Sequence, residues 1–376
     1  MEEPEVSAEP EDREALPRKE SRVAPGSSPE EILTSIARSS SSPLGPGPWT
    51  HIRRPRVGSR ATVLFLESPV PVAGRTQWVV KRPNLGWVRD DLARPVRARD
   101  EFEGLKRLHA HFQAIGGTVR VPEPIALFPD IGVLAMEYVP GRPLSRLLRH
   151  QPFRDPGPML EGMTGTAEFI RQLHSLEELP DAIVNLRTKA EEVLEVADEK
   201  LRPLGLSLPR QAVDVLSRVP ESLVPTRQVR LHGDYGPTNL LLADDGSVVG
   251  IDASLEAIGA PEEDLVRFIV TMSCALRFAP GLVLPATRGV RRQLESQFLR
   301  TYYDGAVVPP LLELTLLHQL ALRWPRLREF AHRREGRLLP VILQVIGAQV
   351  RQLMVESSGR LAEALDRVPR GEPGGV

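Results

Sequence analysis

Short runs of hydrophobic residues fill the first third of the chain, in the pattern that is typical of β-strands. Residues 61–67 and 76–82 are rich in Val, Leu, Phe and Trp, and a turn with proline and glycine lies between them, so they predict a hairpin. Three more strands are predicted at residues 51–57, 125–128 and 131–138. A helix is predicted over residues 97–112, because its apolar positions share one helical face: Phe102, Leu105, Leu108 and Phe112.

After Gly141 the apolar spacing changes to the 3.6-residue period of helices. The predicted helices are residues 143–148, 159–175, 182–201, 210–219, 262–276, 288–303, 311–330 and 338–365. Residues 228–251 are the exception, because Gly, Pro, Asn and Asp interrupt short β-like runs there. The pattern predicts an α+β fold with two lobes, a small β-sheet lobe with one helix and a larger, mostly helical lobe. The cleft between the lobes is the natural ligand site.

The ends of the chain have the composition of disordered segments. Residues 1–31 hold ten acidic and four basic residues, which is a net charge of −6. Such a segment buries too little apolar surface to offset the entropy of ordering. We therefore predict that nothing in the tail packs on the body, although a short helix is expected near Pro29–Arg38. The predicted organisation is a disordered acidic tail at 1–44, a small lobe at 45–136, a hinge at 137–142, a helical lobe at 143–368 and a frayed end at 369–376.

The overall composition argues against several classes of protein. The 376 residues include 48 basic and 49 acidic ones, and the near-neutral body lacks the concentrated basic surface of a nucleic-acid-binding protein. The single cysteine, Cys274, cannot form an intramolecular disulfide. No apolar run approaches the ~20 residues of a membrane span, so no transmembrane segment is predicted, and the first residues lack a secretory signal. These features predict a soluble, cytoplasmic protein, and none of them predicts an oligomeric state.

The densest polar segment lies at residues 231–242, between apolar residues. Asp234 and Asn239 are five residues apart, and Asp252 follows after a hairpin-like turn and an apolar strand. Two carboxylates and an amide are hard oxygen donors, which suit Mg²⁺ better than zinc. Phosphoryl transfer uses such a set, with one carboxylate to accept a hydroxyl proton and an amide with a carboxylate to hold Mg²⁺. The alternative interpretation is that all three are turn residues, since Asp and Asn favour turns.

This segment resembles that of the aminoglycoside phosphotransferase and choline kinase superfamily, which shares the protein-kinase-like fold. The resemblance rests on the order His-Gly-Asp-x-x-x-x-Asn at residues 232–239, followed by Ile251-Asp252. Residues 136–141, Met-Glu-Tyr-Val-Pro-Gly, resemble the hinge of that superfamily, and residues 171–174 resemble the end of its central helix. An element that follows the metal aspartate is matched by Gly259, Pro261, Asp264 and Leu265. The resemblance covers roughly residues 51–275.

The resemblance implies a role for each matching residue of the polar segment. Asp234 matches the catalytic base, and Asn239 and Asp252 match the Mg²⁺ ligands. Lys81 matches the lysine that pairs with the α- and β-phosphates, and the rival interpretation is a lysine that extends from a strand edge. His232 is expected to brace the loop through a hydrogen bond rather than to act in catalysis. The implied catalytic loop is residues 231–252.

The resemblance also implies nucleotide binding by the small lobe and the hinge. Glu101 matches the helix carboxylate that orients the lysine, and Glu103 is the open alternative. The rival interpretation of Glu101 is a solvated helix face. Backbone groups of Glu137 and Val139 match those that bind adenine in the hinge. The implied cofactors are ATP and Mg²⁺.

Two departures from protein kinases narrow the implied activity. The turn expected to cover the phosphates, residues 58–60, has one glycine, and the metal aspartate lies in Gly-Ile-Asp-Ala-Ser rather than Asp-Phe-Gly. The second departure is usual for small-molecule kinases of the superfamily. The implied function is an ATP- and Mg²⁺-dependent phosphotransferase that acts on a hydroxyl of a small molecule. The alternatives are a nucleotide-binding pseudokinase or regulatory module of the same fold, and a nucleotidyl transferase.

The charge of the last part of the chain bears on the acceptor. Residues 266–376 hold 16 arginines and nine acidic residues, a net charge of +7, and Glu256, Glu262 and Glu263 form the one acidic cluster nearby. A polycationic acceptor needs an acidic wall, whereas arginine favours phosphate and carboxylate groups. We therefore predict a neutral or anionic acceptor. The alternative is that these arginines form a solvated helix face.

Overall fold

The computed structural model describes residues 28–38, 44, 47–58, 61–72, 74–83, 93–150, 157–276, 285–332 and 339–368. Within these ranges an antiparallel sheet forms the N-terminal region and helices form most of the C-terminal region. The predicted α+β fold class is therefore confirmed. The exact limits of the lobes and the hinge stay predictions, and residues 369–376 lie outside the described ranges.

The small lobe is built on one sheet and two helices. In chain order these elements are α1 (Pro29–Arg38), β1 (Thr50–Val57), β2 (Ala61–Val72), β3 (Arg75–Pro83), α2 (Ala93–Ile115), β4 (Val119–Arg120), β5 (Pro124–Phe128) and β6 (Val133–Glu137). The described sheet has the order β1-β2-β3-β6-β5, with every pair antiparallel. Trp78 and Val80 of β3 are buried on one face of the sheet. Because side chains alternate along a strand, Lys81 lies on the other face.

Helix α1 packs against the small lobe, which the composition of the tail did not predict. Ile32 and Ile36 are four residues apart, so they share one helical face, and both are buried. They join Leu44 in a hydrophobic cluster with Trp78 of β3. The prediction that nothing in residues 1–44 packs on the body is therefore wrong for α1 and Leu44, because two well-spaced isoleucines suffice where the average composition is polar. Residues 1–27 lie outside the described ranges.

The large lobe contains the remaining elements. In chain order these are β7 (Gly141–Pro143), α3 (Leu144–His150), α4 (Gly157–Leu173), β8 (Ala182–Asn185), α5 (Leu186–Leu201), α6 (Arg210–Leu216), β9 (Leu223–Thr226), β10 (Val229–Arg230), β11 (Leu240–Ala243), β12 (Val248–Gly250), β13 (Ile258–Gly259), α7 (Glu262–Leu276), α8 (Pro285–Tyr302), α9 (Pro310–His332) and α10 (Leu339–Leu365). The helix predicted to begin at residue 182 begins at Leu186 instead. Residues 182–185, the first four of the predicted helix, form β8 and pair with β9. Asn185 caps α5 by accepting hydrogen bonds from two backbone N–H groups.

A small sheet connects the hinge to the polar segment of the large lobe. Its order is β4-β12-β11-β7, and β7, which directly follows the hinge, pairs with β11. The side chain of Val139 is buried beside Ala243 and Val249 of this sheet. A Cβ at Gly141 would lie 2.6 Å from the Leu242 carbonyl oxygen, so the close approach of the two backbones requires glycine there. The hinge and residues 231–252 thus form one packed unit.

An aromatic stack supports the same segment from beneath. Phe169 of α4 stacks on Tyr235 at 6.3 Å and on Phe112 of α2 at 5.1 Å, measured between ring centroids. Tyr235 is fully buried, and its hydroxyl donates to the Thr166 carbonyl oxygen at 2.6 Å. A Cβ at Gly250 would lie 2.0 Å from the Phe169 ring, so only glycine lets β12 pass this close. The stack therefore fixes the position of β12 and of the residues that follow it.

Candidate active site

The predicted catalytic loop, residues 231–252, is fixed at its start by a buried carboxylate. His232 N and Gly233 N donate to Asp264 Oδ2 and Oδ1 at 2.6 and 3.2 Å. Asp264 is buried in the first turn of α7. Gly233 has a φ of +78°, and a Cβ there would lie 2.6 Å from Ser254 Oγ, so this turn requires glycine. The loop is therefore tied to α7 through its own backbone.

A buried histidine in turn holds Asp264. His174 Nε2 lies 3.3 Å from Asp264 Oδ2, and His174 Nδ1 lies 2.8 Å from the Tyr302 hydroxyl. Burial lowers the pKa of His174, although the hydrogen bond with Asp264 opposes the shift. A neutral imidazole has one donor and one acceptor. We therefore assign Nε2–H as the donor to Asp264 and Nδ1 as the acceptor from Tyr302.

His232 supports the loop from inside the core. Its side chain is fully buried, and this burial lowers its pKa despite the neighbouring carboxylates. The backbone N–H of Asp234 lies 3.4 Å from His232 Nδ1, in position to donate to it. The imidazole therefore braces the turn that carries Asp234, which agrees with the bracing role expected from the sequence.

Asp234 is paired with an arginine that the sequence reasoning did not single out. Arg267 Nη2 donates to Asp234 Oδ1, and the two side chains are 33% and 41% exposed, respectively. Arg267 lies on α7 three residues after Asp264, so the helix places it directly above the loop that Asp264 holds. Its spacing of three residues from Asp264 is the one sequence feature that could have identified Arg267. The sequence contains 43 arginines, and the residues beside this one are not distinctive.

Asn239 links the beginning of the catalytic loop to its end. Its side-chain Nδ2 donates to the Asp234 carbonyl oxygen at 2.9 Å, and its own carbonyl oxygen accepts from Ile251 N at 2.9 Å. The first bond fixes the amide so that Nδ2 faces Asp234 and Oδ1 faces away from it. The second bond places Asn239 beside the residue that precedes Asp252. The structure thus brings together the three polar residues that the sequence predicted to act together.

Asp252 occupies a backbone conformation that few residues adopt. Its φ is +61°, in the left-handed region where Asp and Asn are tolerated better than most side chains. Its side chain is 43% exposed, and Oδ1 accepts a hydrogen bond from Lys81 Nζ at 2.7 Å. Asp252 is therefore the point where the catalytic loop meets the small lobe.

Lys81 is held by two carboxylates, one from each lobe. Besides Asp252, Lys81 Nζ donates to Glu101 Oε1 of α2. Burial alone would lower the pKa of Lys81, but the charges of Glu101 and Asp252 outweigh it and raise the pKa above its usual value. Glu103, the alternative partner, forms an exposed ion pair with Lys106 instead. The contact to the lysine is thus made by Glu101.

The hinge residue Glu137 uses its side chain to hold the hinge in place. Glu137 Oε2 accepts from Arg120 Nη1 at 2.9 Å and from Glu123 N at 3.1 Å, and Glu137 N donates to the Glu123 carbonyl oxygen at 2.9 Å. Val139 buries its side chain against the small sheet described above. Both residues therefore have their side chains engaged in the protein, and the adenine contact by their backbone groups stays a prediction.

The donor chemistry of the site fits Mg²⁺. The described residues contain no cluster of three or more His, Cys, Asp and Glu side chains that could bind a metal ion. A site built on Asn239 and Asp252 alone suits Mg²⁺, which usually takes one or two protein ligands and completes its shell with phosphate oxygens and water. Asn239 Oδ1 accepts no hydrogen bond from the described side chains, and the Asp252 carboxylate is partly exposed. The assignment of these ligands stays a prediction.

Comparison with known proteins identifies the family. A family model described as the phosphotransferase enzyme family matches residues 51–282. The chain belongs to this family. The predicted superfamily and the predicted enzyme class, a phosphotransferase, are therefore confirmed. A search of curated proteins finds no match to this phosphotransferase, and no helix among its described residues is long and apolar enough to cross a membrane.

Solved structures to which this chain is similar include several phosphotransferases. Macrolide 2'-phosphotransferase from Brachybacterium faecium is 16% identical, with a TM-score of 0.47, and the match covers 84% of this chain and 98% of that one. Aminoglycoside phosphotransferase from Alicyclobacillus acidocaldarius is also 16% identical, with a TM-score of 0.47, and the match covers 84% of this chain and 93% of that one. Choline kinase from Streptococcus pneumoniae is 13% identical, with a TM-score of 0.41, and the match covers 79% of this chain and 89% of that one.

Proposed function

We propose that this phosphotransferase transfers the γ-phosphoryl group of ATP, with Mg²⁺, to a hydroxyl of a small-molecule acceptor. The proposal rests on one observation, a group of polar and charged residues where the two lobes meet. The catalytic loop brings Asp234, Asn239 and Asp252 together, and Lys81 of the small lobe contacts the last of them. Phosphoryl transfer requires charge neutralisation and positioning at one point, and this arrangement supplies both.

In the proposed nucleotide site, adenine binds to backbone groups of Glu137 and Val139, and Lys81 pairs with the α- and β-phosphates. Glu101 keeps the lysine extended toward the cleft, because it holds Nζ from the α2 side. Asn239 and Asp252 would hold Mg²⁺, which when bound neutralises negative charge on the phosphates. Lys81 and Asp252 neutralise each other without ligand, so phosphate binding would exchange one carboxylate partner of Lys81 for another anion.

Asp234 is the proposed base. As the acceptor oxygen bonds to the γ-phosphorus, the bond from that phosphorus to the bridging oxygen of ADP breaks. The hydroxyl proton passes to the carboxylate of Asp234. The backbone of Asp234 is braced by His232, and the carboxylate is partly exposed, so an acceptor can reach it. The braced loop therefore supplies position, and the partly exposed carboxylate supplies the proton acceptor.

The proposed acceptor is neutral or anionic. Of the acidic cluster near the site, Glu262 is buried and accepts a hydrogen bond from the Tyr303 hydroxyl at 3.2 Å. Burial raises the pKa of Glu262 as well. It therefore contributes no acidic wall that could bind a polycation. Glu256 and Glu263 remain exposed, but residues 266–376 carry 16 arginines against nine acidic residues.

The test is ADP release across sugars, amino alcohols, nucleosides and aminoglycosides, measured together with ATP affinity at several Mg²⁺ concentrations. We expect ADP rather than AMP as the product, with Mg²⁺-dependent ATP binding that Asn239→Ala and Asp252→Ala both weaken. Asp244→Ala is the matched control, because Asp244 is an exposed aspartate in the turn of the same loop. Equal Mg²⁺ dependence in the wild type and both site variants would reject these ligands. ATP binding without turnover would favour the regulatory module.

A further inference from the structure

Arg267 lies on a face of α7 that is attached to the catalytic loop at three levels. Asp264, in the first turn, accepts from two backbone N–H groups of the loop. One turn after Arg267, Thr271 packs on Gly236, since a Cβ at Gly236 would lie 3.1 Å from Thr271 Oγ1. Between these two contacts, Arg267 donates to Asp234. The place of the guanidinium is therefore fixed by the helix and the loop together.

The guanidinium of Arg267 retains hydrogen-bonding capacity beyond Asp234. Arginine has five N–H donors, and within the described part of the chain its side chain makes one hydrogen bond, from Nη2. The side chain is 33% exposed, and the carboxylate that it holds is 41% exposed. The Arg267–Asp234 pair is therefore accessible from the solvent side of the loop. An acceptor hydroxyl must approach Asp234 from that side.

The guanidinium of Arg267 is the group that favours an anion at this position. Glu263 lies one turn earlier on the same helix, and burial raises the pKa of its carboxyl group. Glu262 is turned into the core toward Tyr303. A cationic group beside the acceptor hydroxyl would face the guanidinium directly, whereas a carboxylate or phosphate matches its planar pair of donors.

We propose that Arg267 selects the acceptor by binding a carboxylate or phosphate group that the acceptor carries near its reactive hydroxyl. Arg267 would also hold the carboxylate of Asp234 until the acceptor arrives. The inference rests on the proposed function, because it assumes that Asp234 receives the hydroxyl. It narrows the acceptor class from neutral or anionic molecules to hydroxy acids and phosphorylated alcohols.

The test uses matched acceptors that differ in one group. One set is glucose, glucuronate, a glucose phosphate and glucosamine, and the other is glycerol, glycerate, glycerol phosphate and aminopropanediol. In the wild type we expect the highest kcat/KM for an anionic member, and the carboxylate and phosphate arms show which anion is preferred. Arg267→Met should lower kcat/KM for that member about 10- to 100-fold, mainly through KM, which is the loss expected for a charged hydrogen-bonded pair. The neutral member should lose much less.

Two further variants separate selection from a structural effect. Arg267→Lys keeps the charge but not the paired donors, so it should restore part of the loss. Arg300→Met removes an exposed arginine of α8 and should change neither parameter. Preference for a neutral or amino member, or equal losses for all members in Arg267→Met, would overturn the inference while the proposed function stands. Absence of ADP release with every acceptor would overturn both.

Discussion

Two groups of charged side chains in the large lobe differ in how far their carboxylates are exposed to solvent. At the catalytic loop, the supporting carboxylate Asp264 is 3% exposed, whereas Asp234 and Asp252 are 41% and 43% exposed. Between α8, α9 and α10, the three carboxylates of a second group are 3–7% exposed. This second group, the bundle cluster, consists of Arg291, Glu295, Glu313, Glu356 and Arg360.

Each carboxylate of the bundle cluster has an arginine partner, and Arg292, outside the cluster, adds a further ion pair to Glu356 at 2.8 Å. Arg291 Nη1 donates to Glu295 at 2.5 Å, Arg291 Nη2 also donates to Glu356, and Arg360 Nη2 donates to Glu313 at 3.0 Å. Ser357 adds a hydroxyl donor to Glu313 at 2.7 Å. A buried ionic network of this kind holds helices in register, and it costs more to break than it contributes when intact. The arginines Arg360 and Arg267 are similarly exposed, at 35% and 33%, so the difference lies in the carboxylates: a buried carboxylate marks a structural pair, whereas a partly exposed carboxylate on a buried support marks a candidate site.

The largest effect should come from the open carboxylate of the catalytic loop. Asp234→Ala is expected to lower kcat by roughly 10²–10⁴, which is the usual contribution of a general base. ATP affinity and the melting temperature should stay close to those of the wild type, because the side chain is partly exposed and acts on the acceptor. Steady-state kinetics with an acceptor from the screen, together with ATP titration, provide the measurement. A near-normal rate would show that this carboxylate is not the base.

The second effect is on stability and should leave chemistry alone. Glu313→Ala removes one of the two carboxylate partners of Arg360, which is 35% exposed and keeps Glu295, and it leaves the buried Ser357 hydroxyl without its acceptor, so the free energy of unfolding should fall by about 1–3 kcal/mol. The folded fraction should keep its kcat/KM. Glu363→Ala, an exposed glutamate on the same α10 helix as Arg360, is the control and should cost under about 0.5 kcal/mol. Urea unfolding gives both values, and loss of kcat/KM in folded Glu313→Ala would erase the distinction between the two regions.

The sequence predicted features that depend on neighbouring residues better than contacts between residues that are far apart along the chain. The catalytic loop could be found because Asp234 and Asn239 are five residues apart in one segment. The bundle cluster could not, because Glu313 and Arg360 are 47 residues apart, and counting charges does not pair them. The same limit hid Arg267, whose partner is 33 residues away. Helix α1 was misjudged for a different reason, since average composition concealed the isoleucine pair.

The smallest effect tests the support of the catalytic loop through pH. Burial lowers the pKa of both His174 and His232 in the folded protein, whereas in the unfolded chain their pKa is about 6.5. The unfolded state therefore binds more protons below that pH, and the free energy of unfolding should fall as the pH drops. Each histidine contributes at most about 1.4 kcal/mol per pH unit.

The measurement is urea unfolding of the wild type, His174→Gln and His51→Gln at several pH values between 7.5 and 5.5. We expect His174→Gln to flatten the slope, because glutamine does not titrate, even if its stability at pH 7.5 is lower. His51 is exposed on β1, so His51→Gln should keep the wild-type slope. Parallel slopes for all three proteins would mean that His174 does not stay neutral against Asp264. The catalytic loop would then be held by an ion pair, as the bundle cluster is.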